Sequence, residues 1–288
     1  MRKWIPDLRH DGAFWRRAAR LGAVHGPEAF VRYSPPLIGL AWAAALPQAR
    51  ARVREMLRGA GSSASTGEVL QVFARFALSL TEAFAMGSGR NERLSATIVG
   101  DSAFQTARAR GRGVIVATAH TSGWYAAGPA LGSVYDDDVV LVMQRERDAS
   151  AQAVQDEARQ RLGLRVIYVG DDPLAAVPLL AHLKRGGVVA LQIDRVTGGM
   201  RAVPTTLFGR EFAMPAGAFQ LAAVSGAPVV PVLGRRTGFL RYEVSVGREI
   251  ELGRRPSDDD LAHAAAAIAA QLEDFIRRHP THWYHFSD

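Results

Sequence analysis

His120 has the sequence setting of a residue that moves protons. It follows the apolar, strand-like run 113–119 and precedes the small polar turn 121–123. A strand of this kind brings the imidazole to the edge of a buried sheet, where small neighbours leave room for a substrate. Imidazole exchanges a proton near neutral pH, so the pattern predicts that His120 acts as a general base.

The positive charge of the chain is carried almost entirely by guanidinium groups. Lys+Arg number 35 against 28 Asp+Glu, the net charge is +7, and lysine occurs only at Lys3 and Lys184. Arginine binds phosphate bidentately and is well suited to a lipid headgroup interface. An arginine-biased genome would give the same composition. No basic tract with interleaved aromatic residues occurs, so nucleic acid is not an expected partner.

Several kinds of site and segment are excluded by the sequence. The chain has no cysteine, which rules out disulfides, thiolate metal sites and a cysteine nucleophile. Residues 1–20 are polar and charged, so no secretory signal is expected. The apolar stretch 35–46 is shorter than the roughly 20 residues that cross a bilayer, and it predicts a core or interfacial helix. No metal site is expected, because Pro280 breaks the helix that would align the closing histidines.

The periodicity of the chain changes near residue 92. Residues 12–90 show helical spacing, and Ser65 with Glu68 forms a capping-box pattern at the start of one helix. Strands are then predicted at 97–99, 113–119, 139–143, 164–169, 188–193, 229–233 and 242–246. Helices are predicted at 101–110, 124–131, 149–162, 173–184 and 258–278. The alternation predicts an α/β fold, a mostly parallel or mixed sheet flanked by helices, in one integrated domain with an N-terminal helical region (1–92) and a core (93–288).

Beyond the histidine, short blocks occur in a characteristic order along the chain. They are Ala119–Trp124, Arg145, the helix end with Arg159 and Arg161, the strand that ends in Asp194, Phe208–Gly209, and segments 215–217, 225–231 and 279–284. This ordered set resembles the lipid A late acyltransferases of the lysophospholipid acyltransferase superfamily. The resemblance covers most of residues 30–286 and implies a glycerolipid acyltransferase-like fold.

The resemblance implies an acyltransferase with His120 as its general base. A fatty acyl group would pass from an acyl carrier protein or coenzyme A thioester to a hydroxyl or amine of a lipid or lipid-like acceptor. No cofactor beyond that thioester is implied. The enzyme would lie peripherally on the cytoplasmic face of the cell membrane, with the membrane surface as a further partner.

The same resemblance assigns roles to residues around the histidine. The substrate would contact the turn after the strand, and backbone amides of that turn or of a helix start would stabilise the developing oxyanion. Arginines would hold a phosphate of the acceptor or of the phosphopantetheine. The substrate-binding residues implied are Thr121, Ser122, Gly123, Trp124, Arg145, Arg159, Arg161, Phe208 and Gly209.

The acidic partner of the histidine departs from the family pattern. The family motif is His, four residues, then Asp or Glu, and the matching position here is Tyr125. Three accounts remain open. The Tyr125 phenol could hold the second ring nitrogen, the more distant Asp194 could fold in to do so, or the site could be slow or inactive in acyl transfer.

Other readings of these residues also remain open. The chain could be a catalytically impaired acyl- or lipid-binding homologue, or a thioester hydrolase or unusual-acceptor transferase on the same scaffold. Arg145 could belong to a solvated charged loop, Asp194 could cap a turn, and Phe208–Gly209 could form a structural turn. A covalent serine route is disfavoured, because no Gly-x-Ser-x-Gly elbow occurs.

Overall fold

The computed structural model describes residues 13–86, 94–124, 138–145, 152–153, 156, 160, 165–170, 173–197 and 199–286. Four helices come first: α1 (Ala13–His25), α2 (Glu28–Ala45), α3 (Pro47–Gly59) and α4 (Thr66–Met86). Four more lie in the core: α5 (Ser102–Ala109), α6 (Val177–Lys184), α7 (Gly217–Ser225) and α8 (Asp258–Arg278). The strands are β1 (Ser95–Val99), β2 (Val114–Thr118), β3 (Val139–Gln144), β4 (Arg165–Val169), β5 (Val188–Gln192), β6 (Ala202–Leu207), β7 (Arg210–Pro215), β8 (Val229–Gly238) and β9 (Arg241–Val246).

Seven strands form one mixed sheet in the order β1-β9-β8-β2-β5-β3-β4. Only β8 and β9 pair antiparallel, and the other neighbouring pairs are parallel. Every residue of the central strand β2 is buried, which is why its sequence is a continuous apolar run rather than an alternating one. The predicted α/β fold, with a mostly parallel mixed sheet and an N-terminal helical region, is confirmed.

The register of β2 and β5 fixes the geometry of the histidine. These parallel strands pair with Thr118 opposite Gln192. The ladder continues beyond both strand ends, because the Ile193 amide donates to the Thr118 carbonyl at 2.9 Å. Two residues further along each strand, the same register brings His120 alongside Asp194.

The N-terminal helices pack closely against one another and against the core. A Cβ atom at Gly39 of α2 would lie 2.5 Å from the Phe73 carbonyl oxygen of α4, so only glycine permits this approach. The predicted capping box is present at the start of α4. The Ser65 amide donates to Glu68 Oε2 at 2.9 Å, and the Glu68 amide donates to Ser65 Oγ at 3.2 Å.

The β6–β7 hairpin was not predicted from the sequence. It forms a separate antiparallel pair, joined by Phe208 and Gly209 at φ 53° and 73°. A two-residue hairpin turn with both residues at positive φ favours Asn-Gly, and a phenylalanine in the first position gives no such signal. Pro204 within β6 further weakens the strand pattern.

Some predictions are not tested by the described residues. Most of the predicted helices 124–131 and 149–162 lie outside the described part of the chain, and the division at residues 92 and 93 stays a prediction. None of the helices among the described residues has the length and apolar character needed to cross a membrane.

Candidate active site

His120 and Asp194 form a hydrogen-bonded pair at the carboxyl ends of β2 and β5. The ring Nδ1 lies 2.8 Å from Asp194 Oδ1, and the His120 backbone amide donates to Oδ2 at 2.9 Å. Trp283 Nε1 donates to the same Oδ2 at 2.9 Å. An ionised carboxylate only accepts hydrogen bonds, so in the neutral ring Nδ1 carries the proton and the lone pair lies on Nε2.

Asp194 is fully buried, and its surroundings favour the ionised form of the carboxyl. Burial alone would raise the pKa of its carboxyl. The attraction of the His120 ring and the hydrogen bonds from His120 and Trp283 outweigh that effect and hold the pKa below its ordinary value. A constant negative charge therefore lies behind the imidazole, where it stabilises the imidazolium that forms when Nε2 takes a proton.

The other face of the imidazole opens into a large cavity. The His120 side chain is 21% exposed, and it lines a cavity of about 2020 Å³ together with Trp124. The two rings are 5.6 Å apart between centroids. Apolar side chains from α1, α2 and α4 form much of the wall, including Phe30, Ile38, Trp42, Phe73, Phe76, Leu80 and Phe84. The space can hold a long hydrocarbon chain beside the imidazole.

The charged residues that the described structure places in the cavity wall are positive. Among its described lining residues there is no aspartate or glutamate, while four arginines contribute: Arg52, Arg145, Arg195 and Arg201. The Arg145 guanidinium lies 4.9 Å from the centre of the Tyr168 ring, and Arg195 Nη2 donates to the Tyr284 carbonyl. This distribution suits a ligand that carries phosphate groups as well as an acyl chain.

The turn 121–124 does not supply free amides. All four of its backbone N–H groups already donate to backbone carbonyls: Thr121 to Ala119, Ser122 to His282, Gly123 to Gly234 and Trp124 to Thr121. The expectation that these amides stabilise an oxyanion is therefore wrong.

The side chains of this turn have structural contacts instead. Thr121 is fully buried, and its Oγ1 accepts from the Gly234 amide at 3.2 Å. Ser122 is buried and bonds His282 Nδ1, while a Cβ at Gly123 would lie 2.7 Å from Gly234 Cα. Of the four turn residues, only Trp124 lines the cavity.

Two residues that line the cavity each have a buried donor atom without a partner among the described residues. Gln192 Nε2, two residues before Asp194, and Arg195 Nε, one residue after it, make no hydrogen bond there. A buried donor left unpaired is costly, and such groups are often reserved for a ligand. Neither residue was selected from the sequence, although both flank the selected aspartate in the run Leu191–Arg195.

The remaining residues selected from the sequence are not among the described residues of the cavity. Tyr125, Arg159 and Arg161 fall outside the described residues. Phe208 and Gly209 form the β6–β7 turn, where the Phe208 amide donates to Glu273 Oε1 at 2.6 Å, and they are not among the cavity residues. Trp283 was noted only as part of the closing block, and its bond to Asp194 depends on the folded chain.

Comparison with known proteins gives one family. The sequence model of the family described as Bacterial lipid A biosynthesis acyltransferase matches residues 65–288, well over half of the chain. The matched region includes His120, Asp194 and Trp283 and leaves α1–α3 outside. No curated protein sequence matches the chain.

Proposed function

Because the chain belongs to the bacterial lipid A biosynthesis acyltransferase family, it is an acyltransferase with a lipid-like acceptor; we propose that His120 is its general base. The acyl donor in this proposal is a thioester of an acyl carrier protein or coenzyme A, and the acceptor group is a hydroxyl or amine. The observation that carries the proposal is the buried Asp194 carboxylate on Nδ1 of an imidazole that faces a large, partly apolar cavity.

The reaction is a direct acyl transfer. His120 Nε2 takes the proton of the acceptor hydroxyl or amine as its oxygen or nitrogen attacks the thioester carbonyl carbon. The carbon–sulfur bond then breaks, and the departing thiolate recovers the proton from the imidazolium. A positioned general base is typically worth about 10²–10⁴ in rate.

In this proposal Asp194 has the role that the family motif gives to the acid at the position of Tyr125. Its carboxylate fixes the ring tautomer through Nδ1 and remains ionised. The bonds from the His120 amide and from Trp283 hold it in place. With this partner on Nδ1, the imidazole needs no second orienting group.

The oxyanion requires donors other than the turn amides. We assign this role to Gln192 Nε2, assisted by the Arg195 guanidinium, because both residues line the cavity next to Asp194 and have unpaired N–H groups among the described residues. Arg52, Arg145 and Arg201 would hold phosphate groups of the donor or acceptor. The resemblance adds Arg159 and Arg161 to that set.

The proposal is tested by the products formed from an acyl thioester with and without an amphipathic lipid acceptor. Mass spectrometry should detect an acylated acceptor, and His120→Ala should form it at least about a hundredfold more slowly. Free fatty acid released at the same rate with or without acceptor would instead identify a thioester hydrolase. Unchanged product formation by His120→Ala would remove the general base from the mechanism.

A further inference from the structure

Helix α4, strand β8 and the segment after α8 meet around Ser122, which is not among the described lining residues of the cavity. Ser79 Oγ of α4 donates to the Ser122 carbonyl at 3.2 Å. The Arg236 amide of β8 donates to Ser122 Oγ at 3.2 Å, and His282 Nδ1 bonds the same oxygen. Arg75 lies one turn before Ser79 in α4 and is partly buried, which places its guanidinium next to the segment after α8.

Four cationic or titratable side chains of these elements lie close together. We call Arg75, Arg235, His279 and His282 the basic cluster. After burial, the repulsion of Arg75 is the largest cause that lowers the pKa of His282, and the repulsion of Arg235 has that place for His279. The two imidazole rings are 6.0 Å apart between centroids. The described lining residues of the cavity include none of the four, so the basic cluster is separate from the arginines of the cavity wall.

The carboxylates near the basic cluster are already paired with arginines. The pairs are Glu243 with Arg235, Glu82 with Arg236, and Asp274 with Arg278. Each of these carboxylates balances one guanidinium. Among the described side chains, Arg75 is therefore left without a counter-charge in a region that contains further cations.

Several donors of the basic cluster have no acceptor in the described part of the chain. The Arg75 guanidinium makes no hydrogen bond or ion pair there, and neither ring nitrogen of His279 is bonded. The salt bridge of Arg235 uses Nε and Nη2 and leaves Nη1 unused. Partly buried charges are normally paired, and the planar fork of arginine matches the oxygens of a phosphate. These donors therefore have the composition of an anion site.

We propose that the basic cluster binds an oxyanion of the phosphate class, either the free ion or the phosphoryl group of a soluble ligand. Arg75 supplies a bidentate contact, Arg235 supplies Nη1, and His279 supplies a further donor when it is protonated. This site is additional to the cavity that holds the substrates in the proposed function. Its occupation does not depend on that function and is measured without turnover.

The His279 ring serves as a reporter of the site. Burial and the repulsion of Arg235 lower its pKa, and Arg278 and Arg75 add to this repulsion, while Glu243 opposes it. An anion bound between Arg75 and His279 adds an attractive charge. The pKa of His279 should therefore rise when the anion binds.

The site is tested by following the histidine ring resonances of the full chain by NMR during titration with inorganic phosphate or with glycerol 3-phosphate. The His279 resonance, identified by its loss in His279→Asn, should shift saturably. Arg75→Gln should lower the affinity seen at His279 by at least about tenfold. Saturation by both probes would assign the phosphoryl group, and saturation by inorganic phosphate alone would assign the free ion. The absence of a saturable shift with either probe would reject the site.

Arg201→Gln is the matched control, because Arg201 is an arginine of the cavity wall and does not belong to the basic cluster. This substitution should leave the affinity seen at His279 unchanged. If it lowers that affinity as much as Arg75→Gln does, the shift reports on phosphate in the cavity and the proposal is wrong.

Thermal unfolding at constant ionic strength gives a second readout. In phosphate-free buffer, Arg75→Gln should be at least as stable as the unaltered chain, because it removes a partly buried charge that has no partner among the described residues. Phosphate should then raise the unfolding midpoint of the unaltered chain more than that of the variant, since a ligand stabilises the state that binds it. Equal stabilisation of both proteins by phosphate would overturn the assignment of Arg75 to the site.

Discussion

The His120 imidazole is oriented by Asp194, which lies 74 positions further along the chain. Asp194 has no exposed surface, and its oxygens accept from the His120 amide, the His120 ring and the Trp283 indole. An acid held by three donors cannot rotate away from the ring. In the neutral ring these contacts favour the tautomer with its lone pair on Nε2, which is the one that a general base requires.

At the same scale, Gln192 gives a test of how the oxyanion is stabilised. Gln192→Ala should lower kcat by about 10–10³-fold with little change in KM, since the donor acts on charge that develops in the transition state. Steady-state kinetics with one acyl thioester and a saturating acceptor would measure this. Gln220→Ala is the control, because Gln220 also lines the cavity but lies on α7. Equal kcat values for the two variants would exclude Gln192 from the mechanism.

At the scale of elements, the sequence predicts the strands that end at the site but not which strands pair with them in the sheet. The apolar runs ending near His120 and Asp194 identify β2 and β5. Whether these strands lie side by side depends on the order of the whole sheet, which no local pattern contains. Asp194 could therefore be named as one partner of His120 among several, and its contact with the ring follows from the β2–β5 register. The role of Tyr125 stays a prediction.

The hydrogen-bond partners of the turn 121–124 and the contacts of Phe208–Gly209 could not be predicted from sequence patterns either. The turn 121–124 looks like an oxyanion site until the β8 and closing segments are packed against it, because its amides then donate to Gly234 and His282. In the same way, Phe208–Gly209 is positioned by Glu273 and Arg277 of α8 rather than by the cavity. Long-range packing decides these partners.

The segment after α8 makes folding stability depend on pH. His282 bonds Ser122, and its burial, together with nearby cations such as Arg75, lowers its pKa to about 3. The unfolded chain binds this proton near pH 6.5, so between these values the unfolded state holds more protons and stability falls as the pH falls. From pH 7 to pH 5 the loss from this residue should be about 2 kcal/mol.

Urea unfolding at pH 7 and pH 5 measures this loss. His282→Asn should flatten the pH dependence, since asparagine does not titrate, while lowering stability at both values through altered packing. His263→Asn, at an exposed site on α8, should retain the pH dependence of the unaltered protein. The account of His282 is contradicted if the two variants lose equal stability between pH 7 and pH 5.

At the scale of the whole molecule, the cavity is lined by residues inside the family match and by residues that precede it. The match covers residues 65–288, whereas α1 and α2 supply apolar residues and α3 supplies Arg52 to the cavity wall. Hydrocarbon and phosphate surfaces thus meet in one space beside His120. In the proposed function, the core would provide the chemistry, and the N-terminal helices would help to enclose the ligand.

The arginines of the cavity wall should affect substrate binding more than the rate of the chemical step. Arg201 lines the cavity and is exposed, and its guanidinium has no partner among the described residues. Arg201→Gln should raise KM for a phosphate-bearing substrate by about tenfold and leave kcat nearly unchanged, because a phosphate contact is equal in the ground and transition states. Arg254→Gln, at an exposed site outside the cavity, should change neither constant. A fall in kcat at constant KM would contradict this role.

The most direct measurement of the central claim is the turnover of Asp194→Asn. Asparagine keeps the shape of the side chain but removes the charge that fixes Nδ1–H, so kcat should fall by about 10²–10⁴-fold while KM stays within about threefold. The control is Asp274→Asn on α8, which is expected to retain full turnover because Asp274 is exposed and pairs only with Arg278 among the described residues. If Asp194→Asn turns over within about threefold of the unaltered protein, the His120–Asp194 pair is not the catalytic unit.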